Sequence, residues 1–312
     1  VVVAQSSSLG HLSALPVLIG DRDAVLYDVQ VHASVQAALP ELRLRGIPCE
    51  PVRHNHMARL EERVSTLSRE HARVFYLCDG IYSMHGDVLD VAGLYGLLDR
   101  QPSLFAYVDD AHGVSWNGER GAGTVLGQRA LHPRMAVIFG LAKSFAAAGG
   151  ALVLPDRELA ERIQTEGRTM IFSGPLQPAQ LGAGVASVRL HLSPELPQLQ
   201  AQVASRIQAF DRAARQHCLP VSSWDFSPIR YISAGEERAA MELASGLIAR
   251  GYFVNIAYYP AVPRRRAGLR LTLTAHQTLE DIQNLVAAIA QCLGTSRTGV
   301  RAIPAWVGAE PG

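Results

Sequence analysis

The stretch LFAYVDDAHG, residues 104–113, decides the fold. Five hydrophobic residues run without polar alternation into two adjacent carboxylates, Asp109 and Asp110, and His112 follows. An unbroken apolar run is typical of a strand buried on both faces of a parallel sheet. Ligands of open α/β sheets bind beyond the carboxyl ends of such strands. The stretch therefore predicts a buried strand that presents acidic side chains to a site. Taken alone, two aspartates after a strand are also typical of a helix cap or a turn.

Similar apolar runs recur along the chain and alternate with helical segments, which predicts an α/β fold with a mostly parallel sheet covered by helices. After residue 178 the pattern changes, and long helices followed by strands predict a smaller α+β C-terminal domain. We expect a large domain over 1–178, a small domain with its linking helix over 179–294, and an irregular tail over 295–312. The predicted strands are 1–5, 24–28, 73–78, 104–109, 135–139, 151–154, 229–233 and 269–274, and the predicted helices are 35–45, 57–70, 91–100, 179–192, 199–218, 238–250 and 279–293.

Composition excludes several classes of protein. The 312 residues are 48% hydrophobic and 18% charged with a net charge of +1, which indicates a globular protein without a nucleic-acid partner. The four cysteines lie far apart with no CxxC spacing, which predicts no metal site and favours a reducing compartment, the cytoplasm. No apolar run is long enough to span a bilayer. Because the chain opens directly on the strand-like VVVAQ, we expect the beginning of the domain to lie outside it.

One residue stands out beyond this frame. Of the 29 basic side chains only Lys143 is a lysine, and it lies in the stretch FGLAKSFAAAGG, residues 139–150. A phosphate-binding loop would need glycines one and six residues before the lysine, where Ala142 and Val137 stand. A surface position would accept the arginine that the chain uses everywhere else. An amine, unlike a guanidinium, can lose its charge and form a Schiff base with a carbonyl, and apolar neighbours such as Ala142 favour the neutral amine.

Pyridoxal 5'-phosphate (PLP) is the commonest partner of such a lysine. It needs an acid beside its pyridine nitrogen to keep the ring protonated as an electron sink. Asp109, at the carboxyl end of the strand before the one that leads to Lys143, is placed to supply that acid. The combination favours the functional interpretation of Asp109 over a simple turn.

At this point the chain resembles the α-oxoamine synthases, which are fold-type-I PLP enzymes of the aminotransferase class I/II fold. The similarity extends from about residue 4 to about residue 293, and the motifs occur in the family's order. They are DVQVHAS (28–34), DGIYSMHGD (79–87), YVDDAHG (107–113), GERGAG (118–123), AKSF (142–145) with AGG (148–150), IFSGPLQPAQ (171–180), YPAVP (259–263) and LRLTLTAHQTLEDI (269–282).

The resemblance implies a role for individual residues. Lys143 is expected to form the Schiff base with PLP and to move the α-proton, and Asp109 to pair with the pyridinium nitrogen. His112 and Ser83 are expected to hydrogen-bond the phenolic oxygen of the ring, and His32 to stack on its face. Arg270 is expected to bind the substrate carboxylate, a task suited to its bidentate guanidinium. By this resemblance residues 1–178 are the PLP-binding domain. From the residues alone, His32 is equally a core histidine, Ser83 a turn residue and Arg270 a surface strand residue.

Several positions depart from the family pattern. The loop that surrounds the phosphate in the family reads SSSLGH here, residues 6–11, with Ser7 in place of a glycine and Ser8 beside it. Gly140 and Gly174 stand where the family has hydroxyl side chains, so we expect Ser7 and Ser8 to contribute to phosphate binding instead. Asp79 replaces a glutamate and His85 an aspartate.

The resemblance implies an acyltransferase that condenses an amino acid with an acyl thioester, of coenzyme A or of a carrier protein, and releases carbon dioxide to leave an α-amino ketone. It also implies a homodimer with the active site at the subunit interface. Two alternatives stay open at this level. One is an aminotransferase or lyase on the same fold, and the other is a non-catalytic partner subunit of a heteromeric synthase.

Overall fold

A computed structural model describes residues 1–295, so the predicted tail lies, beyond its first residue, outside the described part of the chain. The described residues form two compact units. The first consists of Val1–Tyr82 and Leu89–Pro197, and the second of Ser83–Val88 and the described residues from Gln198 onward. Within this described part, no helix combines the length and the apolarity that a membrane crossing requires.

The first unit is built on a seven-stranded sheet. Its strands are β1 Val2–Ala4, β2 Ala24–Asp28, β3 Cys49–Val52, β4 Val74–Asp79, β5 Leu104–Asp109, β6 Met135–Gly140 and β7 Gly150–Val153. They lie side by side in the order β1-β7-β6-β5-β4-β2-β3. Strands β2 to β6 pair in parallel, whereas β7 is antiparallel to both of its neighbours. The predicted mostly parallel sheet is therefore confirmed.

Helices cover both faces of this sheet. Side chains alternate along a strand, so Tyr76 and Cys78 pack into one buried apolar cluster while Phe75 and Leu77 pack into another on the opposite face. This double burial explains why the strands are apolar throughout. The helices of the unit are α1 Ser7–Leu18, α2 Ala33–Gln36, α3 Leu39–Leu44, α4 Met57–Leu67, α5 Val91–Arg100, α6 Gly123–Leu126, α7 Arg157–Glu166, α8 Arg168–Phe172 and α9 Pro178–His191, with a 3₁₀ turn at Glu119–Gly121.

Two helical predictions in this unit were wrong. The segment 6–11, expected as a loop, contains the N-cap Ser6, whose hydroxyl accepts a hydrogen bond from the Leu9 amide at 3.1 Å, and the first turn of α1. Serines, Gly10 and Pro16 lower the intrinsic helix propensity of this segment, and burial against the sheet outweighs them. The single helix expected over 35–45 is instead α2 and α3, because Pro40 lacks an amide hydrogen and sits in the first turn of a new helix.

The second unit combines helices with a small antiparallel sheet in the order β8-β10-β9, which confirms the predicted α+β character of the C-terminal part. Its core includes Arg230, which is fully buried and makes two hydrogen bonds of 2.8 Å to the carboxylate of Asp211. Helix α9, which we expected in the C-terminal domain, belongs to the first unit, and the predicted domain limits stay a prediction. The elements are α10 Glu195–Gln216, which begins in the first unit, β8 Ile229–Gly235, α11 Glu237–Ile248, β9 Asn255–Ala257, β10 Ala267–Thr272 and α12 Leu279–Thr295.

Candidate active site

Lys143 and His112 meet at the carboxyl edge of the large sheet. Lys143 follows β6 in a tight turn, and His112 follows β5. The Nζ atom of Lys143 lies 2.9 Å from Nε2 of His112. The carbonyl of His112 accepts a hydrogen bond of 2.7 Å from the Trp116 indole, which holds the backbone of the histidine. Lys143 itself is exposed, and so is Ala142, so the apolar enclosure expected from the neighbouring alanines is absent around this lysine in the described chain.

Helix α9 holds the turn that carries Lys143. The hydroxyl of Ser187 donates a hydrogen bond of 2.5 Å to the carbonyl of Phe145, two residues beyond the lysine. One helical turn later, the ring of His191 packs on the Phe145 ring with centroids 4.7 Å apart. Nδ1 of His191 donates in turn to the carbonyl of Ser187 at 2.7 Å. Neither residue was predicted from the sequence, although their spacing of four on a predicted helix places them on one face.

Asp109 is a buried carboxylate with two donors. His11 Nε2 lies 3.0 Å from Oδ2, and the amide of Ala111 donates to Oδ1 at 3.0 Å. Burial alone would raise the pKa of Asp109, but the hydrogen bond and charge of His11, with Lys143 and the Ala111 amide, outweigh burial and lower the pKa to about 2. Asp109 therefore carries a negative charge at neutral pH. No role was predicted for His11 from the sequence, because the segment around it was expected to be a loop.

Asp110 has a different environment from its neighbour. Its carboxyl group accepts hydrogen bonds from the amides of Thr124 and Val125 at 2.6 and 3.1 Å. Burial raises its pKa to about 7. A Cβ atom at Gly113 would lie 2.1 Å from Oδ1 of Asp110, so the loop after β5 can close around this carboxyl group only with glycine there. Asp110 thus anchors the loop that follows the candidate site.

Asp79 ends β4 and is the register partner of Asp109 at the end of β5. Burial, together with the charge of Asp109, raises the pKa of Asp79 well above its usual range. The amide of His32 donates to Oδ1 of Asp79 at 3.1 Å. The pKa of the His32 imidazole is lowered, chiefly by burial and further by the charge of Lys143, against the opposing effect of Asp109. The charges of Lys143 and Asp109 thus both act on the His32 imidazole.

Ser7 and Ser8 begin helix α1 beside the glycines that flank the lysine turn. A Cβ atom at Gly150 would lie 2.6 Å from the amide nitrogen of Ser7, which shows how closely the helix start approaches β7. At Gly140 a Cβ atom would lie 2.8 Å from Cβ of Ala111 and 3.5 Å from Oγ of Ser7. A hydroxyl side chain does not fit at position 140, and the hydroxyl of Ser7 lies next to that space. A helix start of this kind favours anions.

The two remaining predicted residues lie together in the second unit. Nε of Arg270 donates a hydrogen bond of 2.6 Å to the carbonyl of Ser83, and Nη1 lies 3.2 Å from Oγ1 of Thr272. Burial lowers the pKa of Arg270. The segment Ser83–Val88 is held by further contacts of this unit, among them the hydroxyl of Ser227, which donates to the carbonyl of Gly86 at 2.6 Å. Of the predicted site residues, Lys143, His112, Asp109, His32, Ser7 and Ser8 belong to the first unit, and Ser83 and Arg270 to the second.

Comparison with known proteins agrees with this architecture. Among solved structures, the chain superposes on serine palmitoyltransferase of Sphingomonas wittichii with a TM-score of 0.85, at 22% identity over 95% of this chain and 72% of that one. It superposes on 8-amino-7-oxononanoate synthase of Francisella tularensis with a TM-score of 0.80, at 21% identity over 95% of this chain and 82% of that one. At such low identity these similarities show the fold.

Relatives identified by sequence have a higher sequence identity to this chain than these two solved structures. The 8-amino-7-oxononanoate synthase of Maricaulis maris is 30% identical over 296 residues, which are 95% of this chain and 72% of the relative. The enzyme of the same name from Alkalilimnicola ehrlichii is 32% identical over 288 residues, 92% of this chain and 71% of the relative. The family model of the class I and II aminotransferases matches residues 1–289. The chain therefore belongs to the aminotransferase class I and II family.

Proposed function

We propose that the protein is a PLP-dependent acyltransferase of the α-oxoamine synthase type, which condenses an amino acid with an acyl thioester and releases carbon dioxide to leave an α-amino ketone. The observation that carries this proposal is the contact of 2.9 Å between Lys143 and His112, on the same sheet edge as the ionised Asp109. The relatives named 8-amino-7-oxononanoate synthase support it.

The residues of the first unit fit the chemical demands of PLP. Its aldehyde needs a primary amine, and Lys143 is the one lysine in the sequence. Its pyridine nitrogen needs an ionised acid, and Asp109 is ionised and keeps 7% of its side chain exposed. Its phosphate needs amide and hydroxyl donors, which the first turn of α1 offers at Ser7 and Ser8. When bound, PLP supplies an electron sink for the carbanion at the α-carbon of the amino acid.

Lys143 has two tasks in this proposal. Its amine would hold the aldehyde of the cofactor and, when free, would remove the α-proton of the amino acid. An amine performs both tasks only without its own extra proton. His112 Nε2, at 2.9 Å from Nζ, is within the range for taking up or returning that proton. His112 is also proposed to donate to the phenolic oxygen of the ring.

Asp109 and His32 act on the ring. The negative charge of Asp109 would keep the pyridine nitrogen protonated, which is the state in which the ring can act as an electron sink. His32 is proposed to stack on the ring face, and burial already favours its neutral form. A neutral imidazole excludes water from that face without adding a second positive charge.

The amino-acid carboxylate is proposed to bind to Arg270, and the ring oxygen to the Ser83 hydroxyl. Nε of Arg270 donates a hydrogen bond to the carbonyl of Ser83. Because an arginine carries five donor hydrogens in all, Nη2 is available for a carboxylate oxygen. The short bond between the two residues supports a joint role, because a shift of one displaces the other.

The thioester partner is proposed to be an acyl-coenzyme A or an acyl carrier protein, and the active form a homodimer with the active site at the subunit interface. An exposed apolar face on α9, formed by Leu181, Val185 and Val188, supports association through the first unit. It borders an open apolar groove of about 620 Å³. We place the protein in the cytoplasm, where thiols stay reduced, because Cys49, Cys78 and Cys218 are reduced thiols.

Borohydride reduction in the presence of PLP tests the proposal. Because the sequence contains a single lysine, the reduced adduct should appear by mass spectrometry on the peptide with Lys143 and disappear in Lys143→Arg. In a separate sample of unreduced protein with PLP, incubation with an amino acid and an acyl-coenzyme A should release free thiol and carbon dioxide together. A wild-type protein that takes up no PLP contradicts the proposal. Conversion of PLP to pyridoxamine phosphate by the amino acid alone would indicate an aminotransferase instead.

A further inference from the structure

A fully buried histidine lies behind the carboxylate of Asp109. His11 has no solvent exposure and lies in the second turn of α1. Its Nε2 atom is 3.0 Å from Oδ2 of Asp109, and its Nδ1 atom is 2.9 Å from the hydroxyl of Tyr107. The side chain of Asp109 keeps 7% exposure. Both nitrogens of the imidazole therefore contact protein groups, and the exposed part of the Asp109 carboxylate is accessible to a ligand.

The protons in this chain of three groups follow from their chemistry. An ionised carboxylate has no hydrogen to donate, so Nε2 of His11 carries the hydrogen in the contact with Asp109. Burial raises the pKa of Tyr107 well above its usual range, so the phenol keeps its proton. Its hydroxyl lies at hydrogen-bond distance from Nδ1 and holds the ring in the orientation that directs Nε2–H at Asp109. The contact with His11 thereby fixes the orientation of the carboxylate and favours its ionised form.

A glycine brings the histidine to this place. A Cβ atom at Gly10 would lie 2.6 Å from Cδ1 of Ile138 in β6 and 3.5 Å from Cβ of Ala4. The absence of a side chain at position 10 leaves room for Cδ1 of Ile138, so helix α1 lies close to β6 at this point. The next residue, His11, then reaches the strand end at Asp109.

We propose that His11, oriented by Tyr107, is a positioning residue that keeps Asp109 ionised and directed at the pyridine nitrogen of PLP. This inference rests on the proposed function and deepens it. Without the imidazole, Asp109 would face the desolvation of its site and the neighbouring Asp79, and Lys143 and the Ala111 amide would remain as the groups that favour its ionised form. Burial would then favour the protonated carboxyl group, which cannot keep a pyridinium ion in place.

The test measures the ionisation of Asp109 in the PLP-free full-length protein, by carboxyl ¹³C NMR between pH 5 and 8, with Asp109→Asn to assign the signal. Wild type should stay ionised over the whole range. His11→Leu should show a protonated or titrating Asp109, and His11→Gln, which offers an amide N–H at a similar reach, should restore the ionised signal. His54→Gln is the matched control, since His54 Nδ1 makes a similar buried contact of 2.9 Å with Asp28.

PLP binding is measured on the same variants by fluorescence titration. The dissociation constant should rise roughly tenfold or more in His11→Leu, as expected for the loss of one hydrogen bond to a charged group, and should stay near wild type in His54→Gln. An Asp109 that remains ionised from pH 5 to 8 in His11→Leu overturns the role of His11. A wild-type protein that binds no PLP overturns the proposed function instead, so the two failures are distinguished.

Discussion

Asp79 and Asp109 are register partners at the ends of β4 and β5, yet they have opposite protonation preferences. The pKa of Asp79 is raised well above its usual range by burial and by its neighbour, whereas that of Asp109 is lowered to about 2. Two carboxylates this close resist being ionised together. The contact with His11 decides which of them carries the charge.

Exchanging the two aspartates for asparagine should therefore have unequal effects. Asp79→Asn replaces a carboxyl group that favours its neutral form with a neutral side chain of the same shape, so PLP affinity should change less than about twofold. Asp109→Asn removes the charge that holds the pyridinium, so the affinity should fall by roughly tenfold or more. Titration of both PLP-free variants provides the measurement. Equal losses would show that the two carboxylates are not differentiated as the structure indicates.

The hydrogen bond from Ser187 of α9 to the carbonyl of Phe145 should stabilise the turn that carries Lys143. Ser187→Ala leaves the Phe145 carbonyl without its hydroxyl donor, and we expect the free energy of unfolding to fall by about 1 kcal/mol and PLP to dissociate faster. Ser65→Ala is the control, because the exposed Ser65 hydroxyl donates within its own helix and otherwise accepts one hydrogen bond from the exposed Gln101 side chain. Urea unfolding and stopped-flow PLP release provide the two readouts. An equal response of both variants would argue against a stabilising role of the hydrogen bond between Ser187 and Phe145.

Position 140 should reject the hydroxyl side chain that the family pattern would place there. Gly140→Ser brings a Cβ atom within 2.8 Å of Cβ of Ala111, and we expect a loss of about 1–3 kcal/mol in unfolding free energy from overpacking. Ala111→Gly on the same chain should recover part of that loss. Thermal and urea unfolding of the two single variants and the double variant give the interaction free energy between positions 140 and 111. Strict additivity would mean that the two side chains do not collide.

The pH dependence of stability should contain a contribution from Asp110. Because its folded-state pKa is raised to about 7, the unfolded chain releases this proton first as the pH rises, and the contribution of the group to the unfolding free energy falls from about pH 4 to about pH 7. Asp110→Asn should remove this decline. The difference between the two proteins should change by on the order of 2 kcal/mol between pH 5 and pH 7. Urea unfolding at both pH values measures it, and parallel curves would contradict the buried, protonated Asp110.

Arg270→Lys should weaken the binding of the amino acid while preserving the charge. A lysine offers neither the Nε contact to Ser83 nor a bidentate grip on a carboxylate, so KM for the amino acid should rise by roughly tenfold. Amide hydrogen exchange in the segment Ser83–Val88 should also accelerate. Arg250→Lys, in the exposed turn that follows α11, serves as the control. A raised KM without faster exchange would separate carboxylate binding from the support of Ser83.

The part of the site around Asp109, His112 and Lys143 was predictable because these residues follow the carboxyl ends of strands. Apolar runs long enough for a buried strand predicted β2 and β5 to the residue, and the chemistry of a solitary lysine predicted Lys143. The contact between Lys143 and His112 agrees with those predictions, and the roles of the site residues stay predictions. Helix α1 was missed because serine, glycine and proline conceal a helix whose stability comes from burial.

The sequence by itself determined the mostly parallel α/β fold, because hydrophobic periodicity reports which strands are buried on both faces. It also determined which side chain can act as an amine, because that property belongs to the residue alone. The tertiary structure alone decided which aspartate of Asp109 and Asp110 is ionised and which anchors a loop. Ionisation depends on burial and on partners distant in the chain. The decisive partner of Asp109, His11, lies 98 residues away, and the packing of α1 with Gly10 against Ile138 of β6 brings it to the strand end.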